Sequence, residues 1–156
     1  MGNLLPFVTM ERLIGKTADY EIAKTSAGEG FYYSDGNFKY IPPGWAKIKD
    51  RWYPLGYKVV TLDNKSLGLR KNPTIYTYEV GRWMIMPKDE LIIEDIDEGG
   101  IFSGAGLSSA RKTQQYCRER QKDPFETKIF YAAIYRPFLA NGYKVKSQGI
   151  MLLKLL

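Results

Sequence analysis

Only one stretch of this chain carries a sustained helical repeat. Between Leu107 and Lys122, the residues Leu107, Ala110, Gln114 and Cys117 recur at three- and four-residue spacing, which puts them on one face of an α-helix. Asp123-Pro124 closes the stretch, and Ser108 or Ser109 is the expected cap at its start. With one helix and no alternation of helices with strands, a doubly wound α/β fold is excluded. The remaining chain is strand material, with 12 Tyr, 7 Phe and 3 Trp, side chains that suit a pleated, half-buried surface. The expectation is a single α+β domain over 1–156, an antiparallel or mixed sheet of about five to seven strands with the helix 107–122 packed on it.

Turn chemistry places the strands. Asp35-Gly36 lies between Phe31-Tyr32-Tyr33 and Phe38-Lys39-Tyr40-Ile41, and Asn141-Gly142 lies between Phe125–Leu139 and Tyr143–Leu153. Both are hairpin signals, because these pairs tolerate the positive φ of a two-residue turn. Pro137 marks the end of a long or bent strand, and Asp63-Asn64-Lys65 ends a short strand from Tyr57 to Leu62. Thr74–Met86 is rich in β-branched and aromatic residues and is expected near the middle of the sheet, with Gly81 as a bulge or a close backbone approach. Near the start, Thr9 is expected to cap a short helix from Met10 to Ile14, and Asp19–Lys24 fits either helix or strand.

Charge narrows the partners. Of 17 acids, six fall between Asp89 and Glu98, within a chain of 23 bases and net charge +6. A basic protein with one acidic island favours an anionic partner, either nucleic acid or an acidic protein surface. From Trp45 onward, aromatic and basic residues interleave, and Lys47, Lys49 and Arg51 share a parity that places them on one face of an extended chain. Trp45 and Trp52 stand beside them as stacking platforms for unpaired bases. On the outer side of the helix, Arg111, Gln115, Arg118 and Lys122 form a second basic stripe. The competing reading makes the tryptophans core and the lysines a solvated strand face.

Enzymatic readings are weaker. The chain has no histidine and a single cysteine, Cys117, so His-based triads, the common zinc sites and an internal disulfide are excluded. The acidic window can offer oxygens to Mg²⁺ or Ca²⁺ but lacks calcium-loop spacing, and a solvated acidic edge is the preferred account. Glu126-Thr127-Lys128 fits the E-x-K half of a PD-(D/E)xK nuclease, with Asp95 or Asp97 as the other acid. Gly104-Ala105-Gly106 before the helix has the layout of a phosphate-binding turn, with Glu126 twenty residues on. A flexible lead-in to the helix is the preferred account. No cofactor is expected.

From Tyr57 to Phe102 the order Y-K-V-V, S-L-G-L, N-P-T-I-Y-T-Y-E-V-G-R-W and G-G-I-F, followed by the helix Ser109–Tyr116, resembles small uncharacterised proteins of phages and other mobile elements. The resemblance spans about 57–116, carries no catalytic set and implies a viral or accessory setting. The expected function is therefore a non-enzymatic binding or assembly protein that uses a basic face. A metal-dependent phosphodiesterase is the first alternative. A structural subunit burying its apolar ends, Leu4–Val8 and Ile150–Leu156, is the second, and it would be oligomeric. With no apolar run of spanning length and no signal-peptide order at the start, an intracellular location is expected, in host cytoplasm or virion.

Overall fold

The computed structural model describes residues 13–16, 20–24, 32–33, 39–69, 75–95 and 98–156. Its strands are β1 (Leu13–Lys16), β2 (Tyr20–Lys24), β3 (Tyr32–Tyr33), β4 (Lys39–Tyr40), β5 (Gly44–Ile48) and β6 (Arg51–Thr61), followed by β7 (Trp83–Ile85), β8 (Ile101–Gly104), β9 (Thr127–Ala140) and β10 (Lys144–Leu155). Helix α1 (Leu107–Glu119) lies between β8 and β9, and a single 3-10 turn spans Lys88–Glu90. Eight strands join one sheet while β3 and β4 pair separately, and every described pairing is antiparallel. The α+β expectation holds, with more strand and a shorter helix than the sequence predicts.

The sheet closes on itself. β6 pairs with β9 from Leu55↔Ala133 to Thr61↔Thr127, β9 pairs with β10 along most of its length, and β10 pairs with β8 from Lys144↔Gly104 to Ser147↔Ile101. A bridge between Tyr57 and Gly104 brings β8 back to β6. Closure needs strong coiling, and two bulges supply it. Between Lys146 and Ser147 the partner on β9 steps from Leu139 to Pro137, leaving Phe138 as the extra residue, and Arg136 just before takes φ 47°. Between Leu152 and Lys154 the extra residue, Leu153, is on β10. The bent strand is thus present, although it runs through Pro137 to Ala140, and the Asn141-Gly142 hairpin follows it. In that turn Asn141 Oδ1 accepts hydrogen bonds from the backbone N–H groups of Tyr143 and Lys144, each at 2.8 Å.

Val60, Tyr78, Ile101, Phe130, Ile150 and Leu152 form the cluster inside the ring. Outside it, Ala110 of α1 packs on Tyr57, Val59 and Ile129, and Ile22, Ala46, Leu55 and Met151 continue the core under β2 and β5. The central strand is β10, buried from Val145 to Leu153. Thr74–Met86 was expected in that place and is not there: among its described residues only Trp83–Ile85 is a named strand, at the edge of the sheet and paired with Gly149–Met151 in the middle of β10. Tyr78 is buried, but Val80 and Gly81 sit in a turn closed by Arg82 N–H to Glu79 O (3.2 Å), with Gly81 at φ +82°. Gly81 is therefore a turn residue rather than a bulge.

Other expectations shift as well. Leu13 and Ile14 belong to strand β1 rather than to a helix, and residues 1–12 lie outside the described residues. Asp35-Gly36 also lies outside them, although its flanking strands pair as Tyr32↔Tyr40 and Tyr33↔Lys39. Helix α1 stops at Glu119 and is preceded by Gly106 in extended conformation, so neither Ser108 nor Ser109 caps it. Ser109 is instead buried, and its carbonyl accepts the Thr113 hydroxyl at 3.2 Å.

Two backbone positions predict opposite changes in stability. A Cβ on Gly44 would stand 2.5 Å from the Ala23 carbonyl oxygen and 2.9 Å from Leu55 Cδ2, so Gly44→Ala is expected to cost about 1–3 kcal/mol. Lys49 holds φ 57° in the two-residue turn between Ile48 and Arg51, so Lys49→Gly is expected to gain up to about 1 kcal/mol by relieving the left-handed conformation. Urea midpoints of the two variants should move to opposite sides of the parent.

Candidate functional site

The turn at Lys49 has a functional consequence. Lys47 lies opposite Glu21 on one side and Trp52 on the other, whereas Arg51 lies opposite Ile48. Directly opposed residues share a face, so Lys47 and Arg51 are on opposite faces and the expected basic row is broken. Lys49 is in the turn itself, and the Arg51 guanidinium sits 5.4 Å from the Tyr53 ring centre. Trp45 is 0% exposed, with no acceptor for its Nε1 among the described residues, which makes it core rather than a stacking platform. On α1, Arg111 and Arg118 are exposed, as is Lys122 beyond its end, and Arg118 Nε pairs with Glu126 at 3.2 Å. The helix packs on β6, β8 and β9.

A different set converges at the seam where the ring closes. Beyond the Tyr57–Gly104 bridge, β6 and β8 separate, and a cleft of about 760 Å³ opens between them, α1 and the β9–β10 turn. Its walls carry Lys58, Lys112, Arg120 and Lys144 together with Tyr76, Tyr78, Phe102, Tyr116 and Tyr143. Among the described residues no aspartate or glutamate lines it. Lys112, Tyr116 and Arg120 project at four-residue intervals along one edge of the helix, a cation–aromatic–cation row next to the Arg111 stripe named from sequence. Lys58 comes from β6 and Lys144 from the start of β10. A lysine in a strand carries no local mark of function, so neither was legible alone.

Lys58 is only 8% exposed. Its ammonium donates to the Phe102 carbonyl at 2.6 Å, replacing a ladder bond where the strands part, and lies 5.4 Å from the Tyr78 ring centre. It has no carboxylate partner among the described residues. The Lys144 ammonium lies 5.0 Å from the ring centre of the same Phe102. At the mouth, Tyr116 and Tyr143 are 45% and 41% exposed. A buried cation, further cations and exposed aromatic rings suit an anionic ligand that also carries flat apolar groups.

The remaining candidates resolve into structural roles. In the acidic window, Ile92 N–H donates to Gly99 O at 2.9 Å, and the Lys146 ammonium donates to the carbonyl oxygens of Ile92 and Asp95. A lysine therefore fills the carbonyl cradle that a metal would need. Gly100 leaves room for it, since a Cβ there would stand 2.5 Å from Lys146 Cγ. No cluster of three metal-ligating side chains occurs among the described residues, and Asp97 lies outside them. Lys146 is in register with Leu139, while Glu126 precedes Thr127 at the other end of β9. Asp95 and the Glu126-Thr127-Lys128 triplet are thus not brought together. In the glycine turn, Gly104 is the last residue of β8 and Ala105 N–H donates to Tyr143 O at 2.9 Å. A Cβ on Gly104 would stand 3.1 Å from Ala110 N, so this glycine serves close packing of helix on strand.

No helix among the described residues is long and apolar enough to cross a membrane. Comparison of the chain with family profiles, curated proteins and solved structures finds no match.

Burial raises the pKa of Tyr57 and of Tyr76 above 10.0 and that of Cys117 above 9.0; Tyr131 adds to the first shift, Glu90 and Tyr78 to the second. Each folded-state value lies above its unfolded one, so the stability these groups contribute is intact below about pH 9 and is lost as pH rises through their folded values. The urea midpoint should fall between pH 9 and 11, and Tyr57→Phe should flatten that fall.

Proposed function

We propose that this protein binds single-stranded nucleic acid in the cleft between α1 and the β6–β8 seam, acting as a binding rather than a catalytic module. The observation that supports this most is the cleft's one-sided charge: four cations and no described carboxylate, with one of the cations almost wholly buried. That ammonium donates to the Phe102 carbonyl and has no carboxylate partner among the described residues, so an anion entering the cleft would supply its counter-charge. Tyr116 and Tyr143 stand at the mouth as faces for unpaired bases, where stacking contributes about 1–3 kcal/mol per base. The basic-face reading of the sequence is kept, but its residues move from Lys47, Lys49, Arg51, Arg111, Arg118 and Lys122 to Lys58, Lys112, Arg120 and Lys144. Duplex is disfavoured, because a paired strand hides its base faces from the tyrosines.

Anisotropy titration of labelled single-stranded oligonucleotides tests the proposal. Four phosphate contacts predict a log–log salt slope of about −3 for a single strand. Lys112→Glu with Arg120→Glu should weaken binding more than about tenfold and flatten that slope, Tyr116→Ala should weaken it about tenfold, and Arg111→Glu should change it less than about twofold. Absence of binding to DNA and RNA at low salt, with binding to an acidic polypeptide instead, would replace nucleic acid by a protein partner.

A further inference from the structure

Resting on that reading of the cleft, we propose that it holds a strand by its end, with a terminal phosphomonoester seated against Lys58 and Lys144. The argument begins with access. Lys58 is 8% exposed as a residue, and its part-buried ammonium is held to the Phe102 carbonyl within the lining of the cleft. An internal phosphodiester carries sugar on both sides and must pass along a surface, whereas a terminal phosphate is tethered on one side and can enter a recess.

Charge matches as well. A terminal phosphomonoester carries about −1.5 to −2 near neutral pH, against a single negative charge on a diester. Lys58 and Lys144 both converge on Phe102, one at its carbonyl oxygen (2.6 Å) and one at its ring (5.0 Å from the centre). Both side chains line the cleft, as do Lys112 of the helix and Arg120 at its C-terminal end. An ammonium has three N–H donors. Of those on Lys58 one goes to Phe102 O, and no second acceptor occurs among the described residues. The others are available to phosphate oxygens, and charge-assisted bonds of this kind are about twice as strong as neutral ones. Tyr76, only partly buried, lines the same cleft and can contact the terminal nucleotide.

The test compares one short oligothymidylate in three forms: 5′-phosphorylated, 3′-phosphorylated, and with hydroxyls at both ends. The wild-type protein is expected to bind one phosphorylated form at least about tenfold more tightly than the unphosphorylated strand, a difference of about 1.4 kcal/mol. Which end wins assigns the polarity. Lys58→Met should abolish the difference between the phosphorylated and unphosphorylated strands, over and above any weakening common to all three forms, and Lys58→Arg should retain part of it. Equal wild-type affinity for all three forms overturns end recognition and leaves strand binding intact. Absence of binding to every form overturns both. Because the main comparison is made with the unaltered protein, misfolding of a variant cannot mimic either result.

Discussion

The ring formed by β6, β9, β10 and β8 depends on a narrow seam. Among the described residues one bridge, Tyr57↔Gly104, joins β6 to β8, and one side-chain bond, from the Lys58 ammonium to the Phe102 carbonyl, continues it. A strand edge cannot leave its carbonyls unpaired away from water, and here a lysine supplies the donor that a neighbouring strand does not. That substitution has two results. It lets the strands diverge enough to leave a cleft, and it places a positive charge at the bottom of it. The bulges in β9 and β10 belong to the same arrangement, since their extra curvature brings β8 round to β6.

A second lysine acts in the same way nearby. Lys146, 0% exposed, reaches from the central strand to the main-chain carbonyls of Ile92 and Asp95. The six acids between Asp89 and Glu98 therefore sit on a segment fastened through its backbone. The described ones, Asp89, Glu90, Glu94, Asp95 and Glu98, are exposed. Gly100, just after the acidic island, lines the cleft, and none of the described acids of the island does. Both lysines donate to main-chain carbonyl groups.

Features set by local chemistry were legible in the sequence. The helix face built from Leu107, Ala110, Gln114 and Cys117 turns inward as its spacing requires, with Gln114 Nε2 donating to Thr127 O at 3.3 Å. The Asn141-Gly142 hairpin and the Asp63-Asn64-Lys65 turn form where their residues demand. Sheet order was not legible, for a physical reason. Alternation in Thr74–Met86 marks a strand with one buried face, whereas the central strand is buried on both and reads as the continuous run Ile150-Met151-Leu152-Leu153. The basic row failed because one residue at positive φ, Lys49, turned the chain and reversed the parity behind it. The cleft itself comes from β6, α1 and β10 together. Only its helical part, Lys112, Tyr116 and Arg120, had a spacing that a reader could have weighed.

The cleft lies on the weakest closure of the ring, so a ligand seated there as proposed would tie occupancy to folding by linkage. A ligand that touches both β6 and β8 engages the closed ring and not the opened one, so each tenfold excess over its dissociation constant adds about 1.4 kcal/mol to the closed state. The empty protein leaves β6 and β8 joined by one backbone bridge and a lysine. The loaded protein has the ligand as a further crosslink between strands that meet only 47 residues apart in sequence.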